Sequence, residues 1–589
     1  MTGSFLSLVL VLPSVLFATD FYVDQNNPNC GVGTGSQTAP FCTIGQALAV
    51  AANGDTIFVG PGTYLENLTW PNANVSLIGS AGALLTTVVK AGSSGSVVVV
   101  PSGATATIDR VWIRSGAAVF GGGVNNAGTL TLLNSTVSGN VCTGVFSGAG
   151  GGIGSTGELT LINTTVSGNT SNSYQGGGGI YATGGPVTLI NSRIRDNWTN
   201  GVLGSFATYG GSGSGVQVRF GASLTITNCT VSGNVISTSG GGYGAGVFAY
   251  STPLVVDSST ISGNSNGYVG GGIVAASCNP TTFRNSTITN NYGTGLVTSS
   301  SSPFPTTVLN CTIASNTGIL YPGGWAHTSS GAAQVRNTII ASNFGSVPAQ
   351  PNISGSFQSL GHNLIGNPTG GVGFTNGVLG DQVGVANPGL APLANNGGPT
   401  QTRALLPGSP AINAGDPLVF ELFDQRGAPR SAGSADIGAF ESQSTATYCS
   451  AGTSSNGCVA LISSSGTASA SAASGFTISV ASVPGQRQGL ILYGVDNTGF
   501  TPTVWGSGSS LVCVKSPLQR TTAQLSGGSS NQCDGALSID WNAFRATHPM
   551  ALGTPFAAGD VVYAQGWYRD PPASKSTSLS NALQFFVAP

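Results

Sequence analysis

The sequence predicts an all-β protein: a parallel β-helix with three strands per turn, followed by a small antiparallel β-sandwich. Three observations carry that prediction. The first is a repeat. Residues 177–197 read GGGIYATGGPVTLINSRIRDN, and the same succession of glycine run, L-T-L strand and T-V-S-G-N close recurs along 121–343. The closing asparagines (Asn140, Asn169, Asn197, Asn234, Asn264, Asn291, Asn316 and Asn343) lie 29, 28, 37, 30, 27, 25 and 27 residues apart. A period of this size marks a solenoid. The second is composition. Gly supplies 91 of 589 residues, 40% are hydrophobic and only 6% are charged. Disordered chains show the opposite balance. The third is a change after Cys449, where short alternating segments (GFTISVAS, GLILYGVD, ALSIDWNAF, DVVYAQGWYRDP) follow one another closely, as in an antiparallel sandwich.

In chain order, residues 5–17 (FLSLVLVLPSVLF) are a short apolar run that suits a signal-peptide core better than a membrane span. Residues 1–18 are therefore expected to be a signal peptide, with a buried first strand as the alternative. No second run is long enough to cross a bilayer. The ten cysteines agree with export. Closeness in sequence suggests the disulfides Cys30–Cys42, Cys449–Cys458 and Cys513–Cys533. Next, CTIGQALAVAA (42–52) has helical apolar spacing. It is expected to cover the first turn, since an open solenoid end exposes core and strand edge. The motifs FYVD, GDTIFVGPGTY and NVSLIGS around it resemble the opening of pectin-lyase-like right-handed β-helices, which implies that fold and no particular activity.

Within the repeat, strand alternation turns Ile180, Ala182, Val187, Leu189, Ser192 and Ile194 inward and Tyr181 and Thr183 outward. Successive turns stack about 4.8 Å apart. Val137, Val166, Ile194, Val231, Ile261, Ile288, Ile313 and Ile340 then form one aliphatic column. Ser135, Thr164, Ser192, Cys229, Ser259, Ser286, Cys311 and Thr338 form a column of small side chains. Cys229 and Cys311 are three turns apart, roughly 14 Å by the strand spacing, too far for a disulfide. The corner asparagines tolerate left-handed backbone and can form amide ladders. The GGGI-plus-LTLxNSTVSGN pattern resembles bacterial polymorphic outer-membrane-protein and parallel β-helix repeats, which implies a secreted or surface protein of bacterial origin. The segment LAPLANNGGPTQTRALLPGSPAINAG with DQRGAPR and ADIGAFE (390–441) resembles choice-of-anchor Q closing segments, with Arg403 and Asn413 standing where His and Asp are the pattern. The domains read as signal peptide 1–18, β-helix with N-terminal cap 19–345, closing segment 346–441, linker 442–448 and sandwich 449–589. The helix is expected to have roughly ten to fourteen turns at this repeat length.

Function is read from the same residues. A net charge of −2 supplies no basic stripe, so a nucleic-acid partner is not expected. Pectin-lyase-like helices host polysaccharide-active enzymes, and that chemistry needs paired carboxylates, or acidic calcium ligands with a base. Between residues 141 and 380 we single out Glu158, Asp196 and Asp257, which fall in different turns. His327, His362 and His548 are far apart in sequence, and no CxxC or Cys/His cluster suggests zinc. Neither a cofactor nor a metal is expected. Asp424, Arg426, Arg430, Asp436 and Glu441 crowd together and read as internal ion pairs of an irregular cap. Trp541, Trp567 and Tyr568 read as sandwich core before sugar platform. Among the outward positions, Tyr181, Gln217, Arg219, Phe248 and Tyr250 fall in register over three turns as a candidate glycan patch, with Arg195 and Asp196 beside it. A covering loop such as 198–212 is the competing account. The expectation is an exported, non-enzymatic extracellular or cell-surface protein with a structural, adhesive or glycan-binding role, its partner a polysaccharide or surface glycan. The alternative is a polysaccharide lyase or glycoside hydrolase on the same scaffold. Oligomeric state is left open.

Overall fold

The structure is a computed structural model. It describes residues 18–589 except 81–85, 90–93, 146–147, 201–212, 222, 238–241, 267–268, 300–304, 346–350, 407, 419–421, 431–434, 443–444, 506–507, 558–559 and 588–589. The expected signal segment, save Ala18, and most of loop 198–212 lie outside the described residues. The chain forms two units, Met1–Pro388 and Gly389–Pro589.

The first unit is a parallel β-helix. It opens with Asp20–Val23 paired in parallel with Thr56–Val59 and with the helix Ile44–Val50. Thr43 and Gln46 close a capping box at that helix's start, satisfying backbone N–H groups that have no partner within the helix. The two carboxylate oxygens of Glu66 accept from the amides of Ile44 at 2.8 Å and Gly45 at 2.7 Å, an anion where the helix dipole favours one. Ile44, Ala47 and Leu48 are buried, so the helix covers the core as expected. Cys30 and Cys42 form a disulfide.

Each later turn is built alike. In the turn that ends at Asn197, Ile180–Thr183, Val187–Ile190 and Arg193–Arg195 lie on three faces. A fourth, two-residue strand, Trp198–Thr199, follows the corner and belongs to a six-stranded sheet of such pieces. The T-V-S face is a 13-stranded parallel sheet. The aliphatic column from Val137 to Ile340 stacks in register, and all eight of its members are 0% exposed. The small-residue column is a hydrogen-bond ladder as well. The amides of Thr164, Ser192 and Cys229 donate to Ser192 Oγ at 3.1 Å, Cys229 Sγ at 3.3 Å and Ser259 Oγ at 3.0 Å. The asparagines divide two tasks. Asn134, Asn163, Asn191 and Asn228 take the left-handed backbone at one corner. The closing asparagines are buried and form an amide ladder: Asn197 donates from its backbone N and Nδ2 to Asn234 Oδ1 at 3.1 and 2.9 Å, and Asn234 does the same to Asn264.

The helix runs beyond the expected limit at 345. Ile353–Ser359 pairs with both Trp325–His327 and Ala333–Arg336, turning a corner between two faces. Leu364–Ile365 and Gln382–Val383 add further strands to the T-V-S face. The repeat motif fades there because the ladder changes residue type. Thr338 N donates to Asn363 Oδ1, and Asn363 donates from N and Nδ2 to Asp381 Oδ1 at 2.9 and 3.1 Å. A carboxylate accepts such bonds without offering an amide to a further turn.

In the second unit, the charged group of the closing segment is internally paired. Arg426 donates from Nε and Nη2 to Asp424 Oδ2 at 2.8 and 2.7 Å and stacks on Phe440. Arg430 meets Glu441 at 3.4 Å with both side chains 1% exposed. Asp436 accepts from Asn413 N at 2.7 Å. From Ala446 onward, a six-stranded and a three-stranded antiparallel sheet share one core. Ile462, Phe476, Ile478 and Val480 of one sheet meet Ile491, Tyr493, Ala564 and Phe585 of the other, around Trp541. The disulfide pairing differs from the expectation: the bonds are Cys449–Cys513 and Cys458–Cys533. Antiparallel pairing brings together segments 64 and 75 residues apart, whereas nearness in sequence carries no such information.

Candidate functional site

The glycan patch expected on the glycine-led strands is not an open surface. Register is as expected: Tyr181, Gln217 and Phe248 form one column, and Thr183, Arg219 and Tyr250 the next. Exposure is not. Tyr181 is 6%, Gln217 0%, Arg219 6% and Phe248 4% exposed, and Tyr250 is half-buried. The reason is that described side chains from the connections between turns lie over this outer face. Phe120 packs edge-on against Tyr181, Gln175 accepts from the Tyr181 hydroxyl at 3.0 Å and Tyr243 lies over Phe248. Phe248, Val269, Val274, Val297 and Ala326 make a second apolar cluster outside the helix barrel. The same cover dictates Gly154, since a Cβ there would lie 2.7 Å from the Phe120 ring. Burial raises the Tyr181 phenol pKa and lowers that of the Arg219 guanidinium, and their mutual hydrogen bond opposes both shifts. This is a packed interior with a polar centre.

Exposed cationic and aromatic side chains sit on the T-V-S face: Arg114 stacks on Trp112 in an early turn, and a second group stands in the turn that ends at Asn197. Along the T-V-S sheet the outward positions of neighbouring turns are Thr136 and Ser138, Thr165 and Ser167, then Arg193 and Arg195, then Thr230 and Ser232. Around the corner Thr170, Trp198 and Val235 stand in register. One turn therefore replaces Thr, Ser and Thr with Arg, Arg and Trp. Arg193 and Arg195 are exposed while Ile194 between them is buried. Trp198 is 46% exposed. Asp196 joins the two edges. Its backbone is left-handed, with φ 56°, at the corner held by Gly139, Gly168, Gly233 and Gly263 in four other turns and by Asn290, Ser315 and Ser342 in three more. Its carboxylate meets Arg195 Nη1 at 2.7 Å, both side chains being about half exposed. It also leans over the next turn, where a Cβ on Gly233 would come within 2.5 Å of Oδ1. On the Trp198 side a polar row continues: Asn200 Nδ2 donates to Asn172 Oδ1 at 3.1 Å, and Ser237 Oγ donates to Asn200 Oδ1 at 3.0 Å.

Arg195 and Asp196 were legible in the sequence as outward charges beside the helix. Trp198 was not, because the repeat ends at Asn197 and the short strand after it has no motif. Tyr181, Gln217, Arg219, Phe248 and Tyr250 lie on a different, covered face. The other acidic groups do not join this turn as a pair. Asp257 is held by Arg284 Nη2 at 2.8 Å, and Glu158 is exposed at the start of its strand. No group of three His, Cys, Asp or Glu side chains able to hold a metal occurs among the described residues. Cys229 and Cys311 are buried thiols outside any disulfide, and burial pushes Cys229 up to about 12, which suppresses the reactive thiolate. Trp541 and Tyr568 are 0% exposed in the sandwich core.

Comparison with known proteins agrees with the architecture. The family described as right handed beta helix region matches residues 123–344. No curated protein matches the chain. Among solved structures, pectate lyase Pel9A is 18% identical with a TM-score of 0.37, over 72% of this chain and 97% of that one. XylC in complex with xylose is 10% identical with a TM-score of 0.31, over 63% and 87%. The pectin methylesterase of Aspergillus niger is 14% identical with a TM-score of 0.24, over 53% and 85%.

Proposed function

We propose that the protein is a non-enzymatic binder of acidic polysaccharide, displayed outside the cell, and that Arg193, Arg195, Asp196 and Trp198 form its recognition surface. The observation that carries this reading is that, between the turns of Thr136/Ser138 and Thr287/Thr289, where the outward positions are otherwise Thr or Ser, one turn presents two exposed arginines with an exposed tryptophan around the corner. A guanidinium pairs with the carboxylate of a uronic acid through fixed, forked donors. An indole offers a flat apolar face to a sugar ring while keeping a polar edge. Arg193 and Arg195 are two residues apart on one strand, roughly 7 Å, so they can meet successive charged groups of an extended chain. Asp196 holds Arg195 in place through their ion pair. The export expected from residues 1–18 belongs to the same proposal.

The test combines binding and turnover. The full chain is titrated with polygalacturonate and assayed for cleavage of the same polymer. Saturable binding without cleavage supports the reading. Cleavage that disappears in Asp196→Asn would replace binding by catalysis.

A further inference from the structure

A second site lies in the C-terminal sandwich. A cavity of about 200 Å³ is lined by Thr453, Ser454, Ser455, Trp505, Ser509, Ser510 and Ser578, among others. From these residues we propose that it binds a single neutral pyranose, independently of the arginine turn on the β-helix.

Serine and threonine hydroxyls dominate the lining, with Trp505 as its one aromatic wall and Gly508, Pro572 and Ala573 completing it. Trp505 is fixed on two sides: its Nε1 donates to Thr577 Oγ1 at 2.9 Å, and its ring is covered at 4.0 Å by Lys575, which is not part of the lining. Asp570 sits behind the cavity, 1% exposed. It accepts from Ser455 N at 2.9 Å, from Ser578 Oγ at 2.8 Å and from Ser455 Oγ. These bonds hold two lining serines in place. They also put a negative charge behind the wall, which disfavours an anionic sugar and sets this site apart from the arginine turn. A cavity of this volume suits one sugar ring and is too small for an oligosaccharide stretch.

The cavity is also braced. The loop carrying Thr453, Ser454 and Ser455 lies between Cys449 and Cys458, which bond to Cys513 and Cys533. Ser509 Oγ accepts from Thr453 N at 2.8 Å, and Ser510 Oγ accepts from Leu579 N at 3.2 Å. A pocket whose walls are tied before the ligand arrives loses little freedom on binding.

The experiment is saturation-transfer NMR on the full chain with glucose, galactose, mannose and xylose, and with glucuronate as the charged control. The expected result is saturable, millimolar-range binding of at least one neutral sugar, with glucuronate weaker. Trp505→Ala should weaken it by about tenfold or more, while Arg195→Ala leaves it unchanged. Ala573 also lines the cavity, and Ala573→Phe, which adds a ring to the lining, should abolish binding without removing any wall hydroxyl. Circular dichroism of each variant shows whether the fold is intact. No saturable signal from any neutral sugar on the wild-type chain would overturn the proposal. So would binding that survives in a folded Ala573→Phe variant.

Discussion

At the scale of single residues, Asp196 is where structure and function pull apart. A left-handed backbone costs an ordinary L-residue about 1–2 kcal/mol, less for Asp. The ion pair it makes with Arg195 is exposed, and such pairs contribute about 0–1 kcal/mol. Asp196→Gly should therefore raise stability to unfolding by roughly 1 kcal/mol, a gain trimmed by the extra freedom of glycine in the unfolded chain. In the same variant the affinity for acidic polysaccharide should fall. Urea denaturation and a binding titration on one preparation check both halves. A variant that loses stability would mean that Asp196 is held for the fold. The sequence showed Asp196 as an outward charge and gave no sign of its left-handed backbone. Only the backbone angle reveals its strain.

At the scale of the element, the ladders decide. Asn234 Oδ1 accepts two bonds from Asn197, and its Nδ2 donates to Ile194 O at 3.0 Å and to Asn264 Oδ1 at 2.9 Å. Asn234→Ala strands buried donors on Asn197, each worth about 1–3 kcal/mol of desolvation. A loss of about 3 kcal/mol is expected in chemical denaturation. Strand parity made these ladders readable, since a period of two fixes which side chains point inward. It says nothing of what lies over the outward ones. Tyr181, Gln217, Arg219 and Phe248 point away from the barrel as the pattern requires, and connections with no repeat signal of their own cover them. Trp198 escaped notice for the converse reason, being exposed on a strand too short to show a period.

Buried titratable groups on these elements give the helix a pH profile. His327 is 4% exposed; its Nδ1 lies 2.8 Å from Thr298 Oγ1 and its Nε2 2.8 Å from Gly331 O. Burial lowers its pKa below 6.5. The unfolded chain therefore takes up this proton first, and stability falls as pH drops below the ordinary histidine range. Cys229 and Cys278 are raised by burial to about 12 and about 11. The unfolded thiols ionise first on the alkaline side, so stability also falls as pH rises through 9 toward those values. Thermal melts between pH 5 and 10 should show a maximum near neutrality, and His327→Gln should flatten the acid limb.

At the scale of the whole molecule, the two units rest on different bonds. The β-helix is held by stacking that needs no cross-link beyond Cys30–Cys42 near its start. The sandwich is closed by two disulfides spanning 64 and 75 residues, each worth about 2–4 kcal/mol. Reduction should lower the sandwich melting transition while leaving most of the helix transition in place, read by calorimetry with and without dithiothreitol. The cystine count pointed to such bracing. The pairing did not follow from it, because a sandwich joins strands by topology and not by distance along the chain.

The central claim is that the turn carrying Arg193, Arg195 and Trp198 recognises acidic polysaccharide. Its most direct test is isothermal titration of the full chain with polygalacturonate and with the fully methyl-esterified polymer. The account predicts binding to the charged form, weakened by salt as exposed ion pairs are screened, weak binding to the ester, and at least a tenfold loss in both Arg195→Ala and Trp198→Ala. Equal affinity for the two polymers, or unchanged binding in those two variants, would contradict it.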